Sequence, residues 1–379
     1  MLSRLLINAA RFSARSSSRG SFPVLAARSV LAVELSRLGD VVAVLPFLSK
    51  LKQALPSAKV HLLIRDPFVS LLRLVDIDLD LHAVQGNGIQ DLLRTVEYAR
   101  SLRTDLACSL SPSRRNAIIT LLSGSRIKAG YLRYSDSLTP FLSSHEVEVL
   151  GGTQLPAKQW YGRENIALRS EKVLLALGIP PHGISGPIRV RPDVYDRLRL
   201  SLRESGVLPS RDYILMHPFS GWEFRSWNLT RFVELADRVV AELGKDVLMV
   251  CEAADGERTK KAVERRSGIH VRDSLTAAEL AVALKESSLF VGNDSGLLHL
   301  AAGLGVPHVG IFGPAPPELT GPATEKGTLL YRAVPCSPCD QRTCIRPGDP
   351  CMMQYSVEEV FALVRQLASS VTQTALANV

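Results

Sequence analysis

The chain has 379 residues, 46% of them hydrophobic and 22% charged. That is enough apolar content for two domains with separate cores, and no uninterrupted apolar run nears the ~20 residues that cross a bilayer. Of the formal net charge of +8, five charges are Arg4, Arg11, Arg15, Arg19 and Arg28, in a stretch with no acid. The remainder is only mildly basic and offers no aromatic-studded basic platform, so the overall charge does not point to nucleic acid.

Residues 1–29 read as a basic extension outside the fold. Their Arg, Ser and Ala content suits an organellar transit peptide, and a disordered tail or an upstream translation start explains it equally well. Apolar stretches broken by Arg do not make a secretory signal. From Val30 the β and α patterns alternate. A strand Val30–Leu35 leads to a helix over about 41–54, then a strand 59–64, a helix 90–102 and a strand 105–110. A helix 116–122 and a strand 127–131 complete a first domain, 30–178. Continuous apolar strands in such a series predict a parallel sheet covered on both faces. Gly178-Ile-Pro-Pro-His-Gly-Ile-Ser-Gly-Pro, with Pro192 and Pro209 beyond it, marks 179–210 as a linker region.

The alternation restarts in a second domain, 211–355. Strands are predicted at 213–217, 246–250, 269–272, 289–292 and 308–312. Helices are predicted at 229–243, 257–266, 277–285 and from Leu297. A Cys-rich loop, 336–351, precedes an amphipathic helix in the last segment, 356–379. The turn after the first strand, Ser36-Arg-Leu-Gly39-Asp40, contains no GxGxxG, and no Walker A sequence occurs anywhere. Dinucleotide oxidoreductase and P-loop NTPase readings are therefore disfavoured.

Polar residues gather at three strand ends. Asp40 opens the first helix, as a helix cap or as a general base aimed at a ligand. His217-Pro-Phe-Ser220-Gly221-Trp222-Glu-Phe-Arg225-Ser-Trp227 fills one strand-to-helix loop with a hydroxyl, a Gly, a guanidinium and two of the three tryptophans. Arg suits phosphate because its planar fork makes paired, charge-assisted hydrogen bonds. Asn293-Asp294-Ser295-Gly296 ends the next such strand, where a helix amino end favours an anion. His299 lies within the first turns of that helix. Glu257 follows another strand, at a position where an acid reads ribose hydroxyls or simply opens a solvated helix.

Together these motifs resemble the ADP-heptose:lipopolysaccharide heptosyltransferases, glycosyltransferases of the GT-B fold, over roughly residues 30–365. The resemblance rests on Leu38-Gly39-Asp40-Val-Val, on His217-Pro-Phe-Ser-Gly-Trp with Arg225-Ser-Trp, and on Asn293-Asp294-Ser-Gly-Leu-Leu-His299-Leu-Ala-Ala with Phe312-Gly-Pro314. It implies two Rossmann-like domains with parallel sheets facing across a cleft, an acceptor side in 30–178 and a donor-nucleotide side in 211–355. It implies inverting transfer of a heptose from ADP-heptose to a hydroxyl of a lipopolysaccharide inner-core acceptor, without metal or other cofactor. Asp40 would be the base. Ser220, Gly221 and Arg225 would bind the diphosphate, and Glu257 the ribose. Asp294 would face the sugar, with Ser295, Gly296 and His299 holding phosphates. The family usually has Lys where this chain has Arg225, so phosphate coordination should differ in detail.

A sugar-nucleotide 2-epimerase of similar fold, and a non-catalytic sugar-nucleotide-binding relative, are the alternative readings. Arg114 and Arg115 lie in a basic stretch, 98–133, whose one acid is Asp105; either it contacts an anionic acceptor or it is an ordinary solvated face. A cytoplasmic enzyme is expected, and a true basic patch in 98–133 would favour peripheral contact with the inner face of the membrane. Cys336, Cys339, Cys344 and Cys351 have the look of a metal or iron–sulfur knuckle without a standard spacing, and a stabilising or redox-labile loop fits them as well.

Overall fold

The computed structural model describes residues 24–111, 113–130, 169–180, 188–322, 326–339 and 343–377. The chain divides into two compact units, Met1–Ser185 and Gly186–Val379. In the first, β1 (Ser29–Glu34), α1 (Leu38–Ala54), β2 (Lys59–Arg65), α2 (Val69–Leu74), β3 (Asp80–Val84), α3 (Ile89–Ser101), β4 (Leu106–Ser109), α4 (Arg114–Leu122) and β5 (Ile127–Gly130) follow in order, and α5 (Arg169–Ala176) comes later. The sheet order is β3-β2-β1-β4-β5, with every pairing parallel. Val30, Leu31, Ala32 and Val33 are wholly buried. A strand in the middle of a parallel sheet is covered on both faces, so it needs a continuous apolar run rather than alternation.

The second unit contains α6 (Pro192–Glu204), β6 (Tyr213–His217), α7 (Leu229–Leu243), β7 (Asp246–Val250), α8 (Ala253–Ala262), β8 (Ile269–Arg272) and α9 (Ala277–Glu286). After these come β9 (Leu289–Asn293), α10 (Gly296–Gly303), β10 (His308–Ile311), α11 (Pro317–Thr320), β11 (Gly327–Leu330) and α12 (Val357–Ala377). Its sheet runs β11-β10-β9-β6-β7-β8, again all parallel. The helix ends follow local chemistry. Asn228 caps α7 through the Thr230 amide, and Gly244 beyond its end takes φ +63°, a conformation glycine adopts freely. Thr276 and Glu279 form a reciprocal capping box on α9.

Both sheets reverse direction of winding once, between β1 and β4 in the first unit and between β9 and β6 in the second. The loops leaving the carboxyl ends of adjacent strands diverge at such switch points and leave a crevice for ligands. The polar turns after β1, β6 and β9 all sit at these two points.

Several expectations need adjustment. The 179–210 region is not all connector, because α6 occupies its second half; Pro192, read as a loop marker, is the first residue of that helix, where its missing N–H costs nothing. The helix expected at 257–266 starts four residues earlier, at Ala253. Gly256 lies inside it because a Cβ there would come within 2.1 Å of Asp273 Oδ2. The last residues of the basic extension are structured: Val24–Ala26 is a short 3-10 turn, and Val24 and Ala27 are buried. Residues 1–23 and the basic stretch beyond Gly130 lie outside the described residues. α12 buries Val360, Phe361 and Val364 in the core of the second unit.

Candidate active site

In the first unit β1 ends in a carboxylate that none of the sequence motifs includes. Glu34 is fully buried, and its Oε1 accepts from the Ser36 amide at 2.9 Å. Its Oε2 is buried without a hydrogen-bond partner among the described residues. Burial, and then the charge of nearby Asp40, push the Glu34 carboxyl up to about 8, against smaller opposing hydrogen bonds from Ser36 and Ser111. Glu34 is therefore held in its neutral acid form at neutral pH. The signal was an acid closing an otherwise apolar strand, Ser-Val-Leu-Ala-Val-Glu.

Asp40 is the third residue of α1, and its Oδ2 accepts from the Arg37 amide at 3.3 Å. The helix-cap role is thus filled, with the carboxylate partly exposed and a second oxygen left for other work. The β4 end joins this crevice. Ser36 Oγ lies 2.7 Å from Ser111 Oγ, and Asn116 Nδ2 donates to Ser111 Oγ at 2.8 Å and to the Val33 carbonyl at 3.3 Å.

Arg114 and Arg115 open α4. Arg115 Nη1 donates to the Gly88 carbonyl at 3.3 Å, and its Nε and Nη2 are buried without partners among the described residues. Burial, opposed by Asp91 and reinforced by Arg65, lowers its pKa. Arg114 is exposed. Arg115 thus braces a loop, and Arg114 is the more exposed of the two.

In the second unit the β6 and β9 loops are bound into one structure. Asn293, wholly buried at the end of β9, donates through Nδ2 to the Pro218 carbonyl and accepts at Oδ1 from the Trp227 amide, both at 2.8 Å. The Trp227 ring is fully buried, with Nε1 donating to the Tyr355 carbonyl at 3.1 Å. One amide side chain thus fixes both ends of the 218–227 loop. Within it, Ser220 Oγ donates to the Trp222 carbonyl at 2.7 Å, and the Ser220 amide donates to Ser226 Oγ at 3.1 Å. Gly221 is exposed at the bend, and Glu223–Arg225 forms a 3-10 turn.

Arg225 Nη2 lies 3.1 Å from Asp294 Oδ2, with both side chains mostly buried. Thr320 Oγ1 donates to the same oxygen at 3.0 Å, a contact from α11 that no motif announced. Arg225 Nε is buried and has no hydrogen-bond partner among the described residues. Ser295 occupies the cap position of α10 without capping it, and its hydroxyl lies instead 3.3 Å from His217 Nδ1. Desolvation pushes the His217 imidazole down to about 4, so it is neutral at physiological pH. The α10 amides at Gly296 and beyond are left to an incoming acceptor atom, with the positive end of the helix dipole behind them. His299, one turn in, is buried close enough to His308 to lower that ring's pKa slightly, after burial, the main cause.

The fold therefore brings Ser220, Arg225, Asp294, Ser295 and Gly296 together at one switch point. Glu257 stands apart, its side chain 96% exposed on α8 and 3.8 Å from Lys260. Its neighbour Arg258 is the residue that reaches the loop, stacking at 4.4 Å over the Phe219 ring. Cys336, Cys339 and Cys344 all lie near enough to Cys351 to raise its thiol, which burial first pushes up, to about 11. Among the described residues no three of these sulfurs converge as metal ligands would.

Comparison with known proteins agrees with this geometry. Residues 97–348 match glycosyltransferase family 9 (heptosyltransferase). Lipopolysaccharide heptosyltransferase 1 of Pseudomonas aeruginosa is 26% identical over 332 residues, covering 83% of this chain and 87% of that protein. The crystal structure of a glycosyl transferase family 9 protein from Veillonella parvula superposes with a TM-score of 0.72 at 22% identity, covering 90% of this chain and 97% of the other. The E. coli ADP-heptose lps heptosyltransferase II superposes with a TM-score of 0.67 at 18% identity, over 90% and 99% of the two chains. The fold is accordingly the two-domain GT-B arrangement of parallel sheets, and the chain belongs to glycosyltransferase family 9, the heptosyltransferases.

Proposed function

We propose that this glycosyltransferase moves a heptose from ADP-heptose to a hydroxyl of an anionic lipopolysaccharide inner-core acceptor, with inversion at the anomeric carbon. The reading rests most directly on the Arg225–Asp294 pair beside an α10 amino end whose cap hydroxyl is turned toward His217. A cation, a carboxylate and unfilled helix amides within one crevice suit a sugar diphosphate. Phosphate takes the cation and the amides, and the carboxylate takes a sugar hydroxyl. The names and similarity of the relatives support heptose and the adenine nucleotide.

In this mechanism the acceptor oxygen attacks the anomeric carbon as the bond to the diphosphate oxygen breaks. Negative charge grows on the leaving phosphate, where Arg225 and the amides of Ser295 and Gly296 stabilise it without having to reorganise. Ser220 and Gly221 allow the loop backbone to approach the diphosphate closely, and His299 supports the phosphate end from α10. Neutral His217 orients Ser295. Asp40 accepts the acceptor hydroxyl's proton as the new C–O bond forms, a contribution of ~10²–10⁴ in rate. Glu34, already protonated, adds no second charge beside Asp40 that would repel an anionic acceptor. In this reading Arg114 contacts acceptor phosphate, Glu257 meets the ribose on donor binding, and the enzyme works peripherally at the cytoplasmic face of the inner membrane.

The Asp40→Ala variant tests the assignment. It should lose acceptor-dependent transfer while binding ADP as tightly as the parent protein. Unchanged turnover would remove Asp40 from the mechanism. Conversion of the nucleotide sugar without any acceptor would support the epimerase reading instead.

A further inference from the structure

A second cluster of chemically active side chains lies on the first sheet, away from the turn that holds Asp40. His61 on β2 stands directly opposite Asp80 on the edge strand β3, and His82 follows Asp80 by two residues on the same face. His61 Nδ1 is 3.0 Å from His82 Nε2 and 3.0 Å from Asp80 Oδ2, and His82 Nε2 is 3.5 Å from that same oxygen. The two rings stack with centroids 5.3 Å apart. Tyr98 on α3 closes the far side, its hydroxyl 2.5 Å from His82 Nδ1.

We propose that His61 Nδ1, His82 Nε2 and Asp80 Oδ2 form a binding site for a divalent transition-metal ion of the zinc class. The spacing is the first argument. Bonds of 2.0–2.1 Å in tetrahedral geometry separate ligand atoms by about 3.3 Å, and the three observed separations bracket that value. Convergence supports the same reading: two imidazole nitrogens and one carboxylate oxygen face a common point, where one cation can accept a lone pair from each. The donor set itself, two imidazoles and a carboxylate, is one that zinc and its neighbours prefer to the harder magnesium and calcium ions.

The surroundings fit the same ion. The Tyr98 hydroxyl fixes the orientation of His82 from its other nitrogen, as outer partners of metal-bound histidines do. Lys59 Nζ, 2.8 Å from Asp80 Oδ2, is the competing cation. Its side chain is 65% exposed, so it can swing into solvent and leave the oxygen free. Asp80 is 35% exposed, which leaves the fourth position to water.

His61 pairs with Leu31, three residues before Glu34, hence about 10 Å below the carboxyl edge of the sheet. The ion would fasten edge strand β3 to β2 and would not touch the reacting groups.

The test uses the full-length protein, stripped with chelator and titrated with Zn²⁺ and, separately, Co²⁺. The parent protein should take up one equivalent more than His82→Asn and should gain thermal stability with Zn²⁺ that this variant does not gain. Tyr98→Phe should keep the stoichiometry and bind roughly tenfold more weakly. The equivalent assigned here should give tetrahedral Co²⁺ bands without thiolate charge transfer, which separates it from any ion held by the cysteines. Asp80→Asn serves as the second variant should His82→Asn fail to fold. Equal uptake by parent and folded variants, or a lost equivalent with a thiolate signature, would overturn the proposal. Glycosyl transfer by metal-free protein should match that of the loaded form.

Discussion

Two carboxyl groups meet at the end of β1 in different surroundings. Asp40 is partly exposed and, in the proposed mechanism, takes a proton; Glu34 is buried and keeps one. Changing Asp40 to Asn should lower kcat by ~10²–10⁴ while leaving ADP affinity nearly constant, measured by acceptor-dependent release and by calorimetry. Glu34 titrates at about 8 in the folded chain against an ordinary 4.5. Between those values the folded state binds more protons than the unfolded, so stability is fully present below about 4.5 and is lost as pH rises through about 8. The loss is at most about 1.4 kcal/mol per pH unit. Glu34→Gln, which mimics the protonated acid, should flatten the melting temperature between pH 5 and 8 and raise it at pH 8. An unchanged pH profile would show that Glu34 does not titrate there. The Asp40→Asn change should also lower the Glu34 pKa, because one neighbouring negative charge is gone.

At the scale of elements, Asn293 holds the donor loop. Both of its amide atoms are spent on backbone groups of Pro218 and Trp227 in a fully buried site. Asn293→Leu strands one buried carbonyl and one buried amide, each costing about 1–3 kcal/mol, and should weaken ADP binding by loosening the 218–227 loop. Denaturant unfolding and nucleotide titration of the same variant check both effects. In α12, Phe361 packs in the second core, and Phe361→Ala should cost about 3–5 kcal/mol by cavity formation. Loss of under 1 kcal/mol in urea would mean that this helix is not integral to the unit.

Much of this element structure was legible in the chain. β6 and β7 begin and end where periodicity and turn residues place them, because buried parallel strands write themselves as short unbroken apolar runs. The edge strands β3 and β11 were missed for the converse reason. Asp80-Leu-His-Ala-Val carries polar residues on a half-exposed strand, which reads as loop. Position in the sheet was also invisible, so the sequence named Asp40, Arg225 and Asp294 without showing that each stands at a switch point. Glu34 was hidden by looking like the end of a strand. Thr320 reaches Asp294 from 26 residues away, a contact no local pattern encodes. The direct contact of Arg225 with Asp294 is likewise between residues 69 apart, which no local pattern encodes.

For the whole molecule, the proposed mechanism assigns proton transfer to a turn of the first unit and diphosphate binding to a turn of the second. Among the described residues no helix is long and apolar enough to cross a membrane. The central claim is acceptor-dependent transfer, and it is tested most directly by measuring ADP release from ADP-heptose by the purified protein, with and without a deacylated inner-core acceptor. The account predicts release that requires the acceptor and yields a product one heptose heavier. Release at the same rate without acceptor, or none in the presence of both substrates, would contradict it.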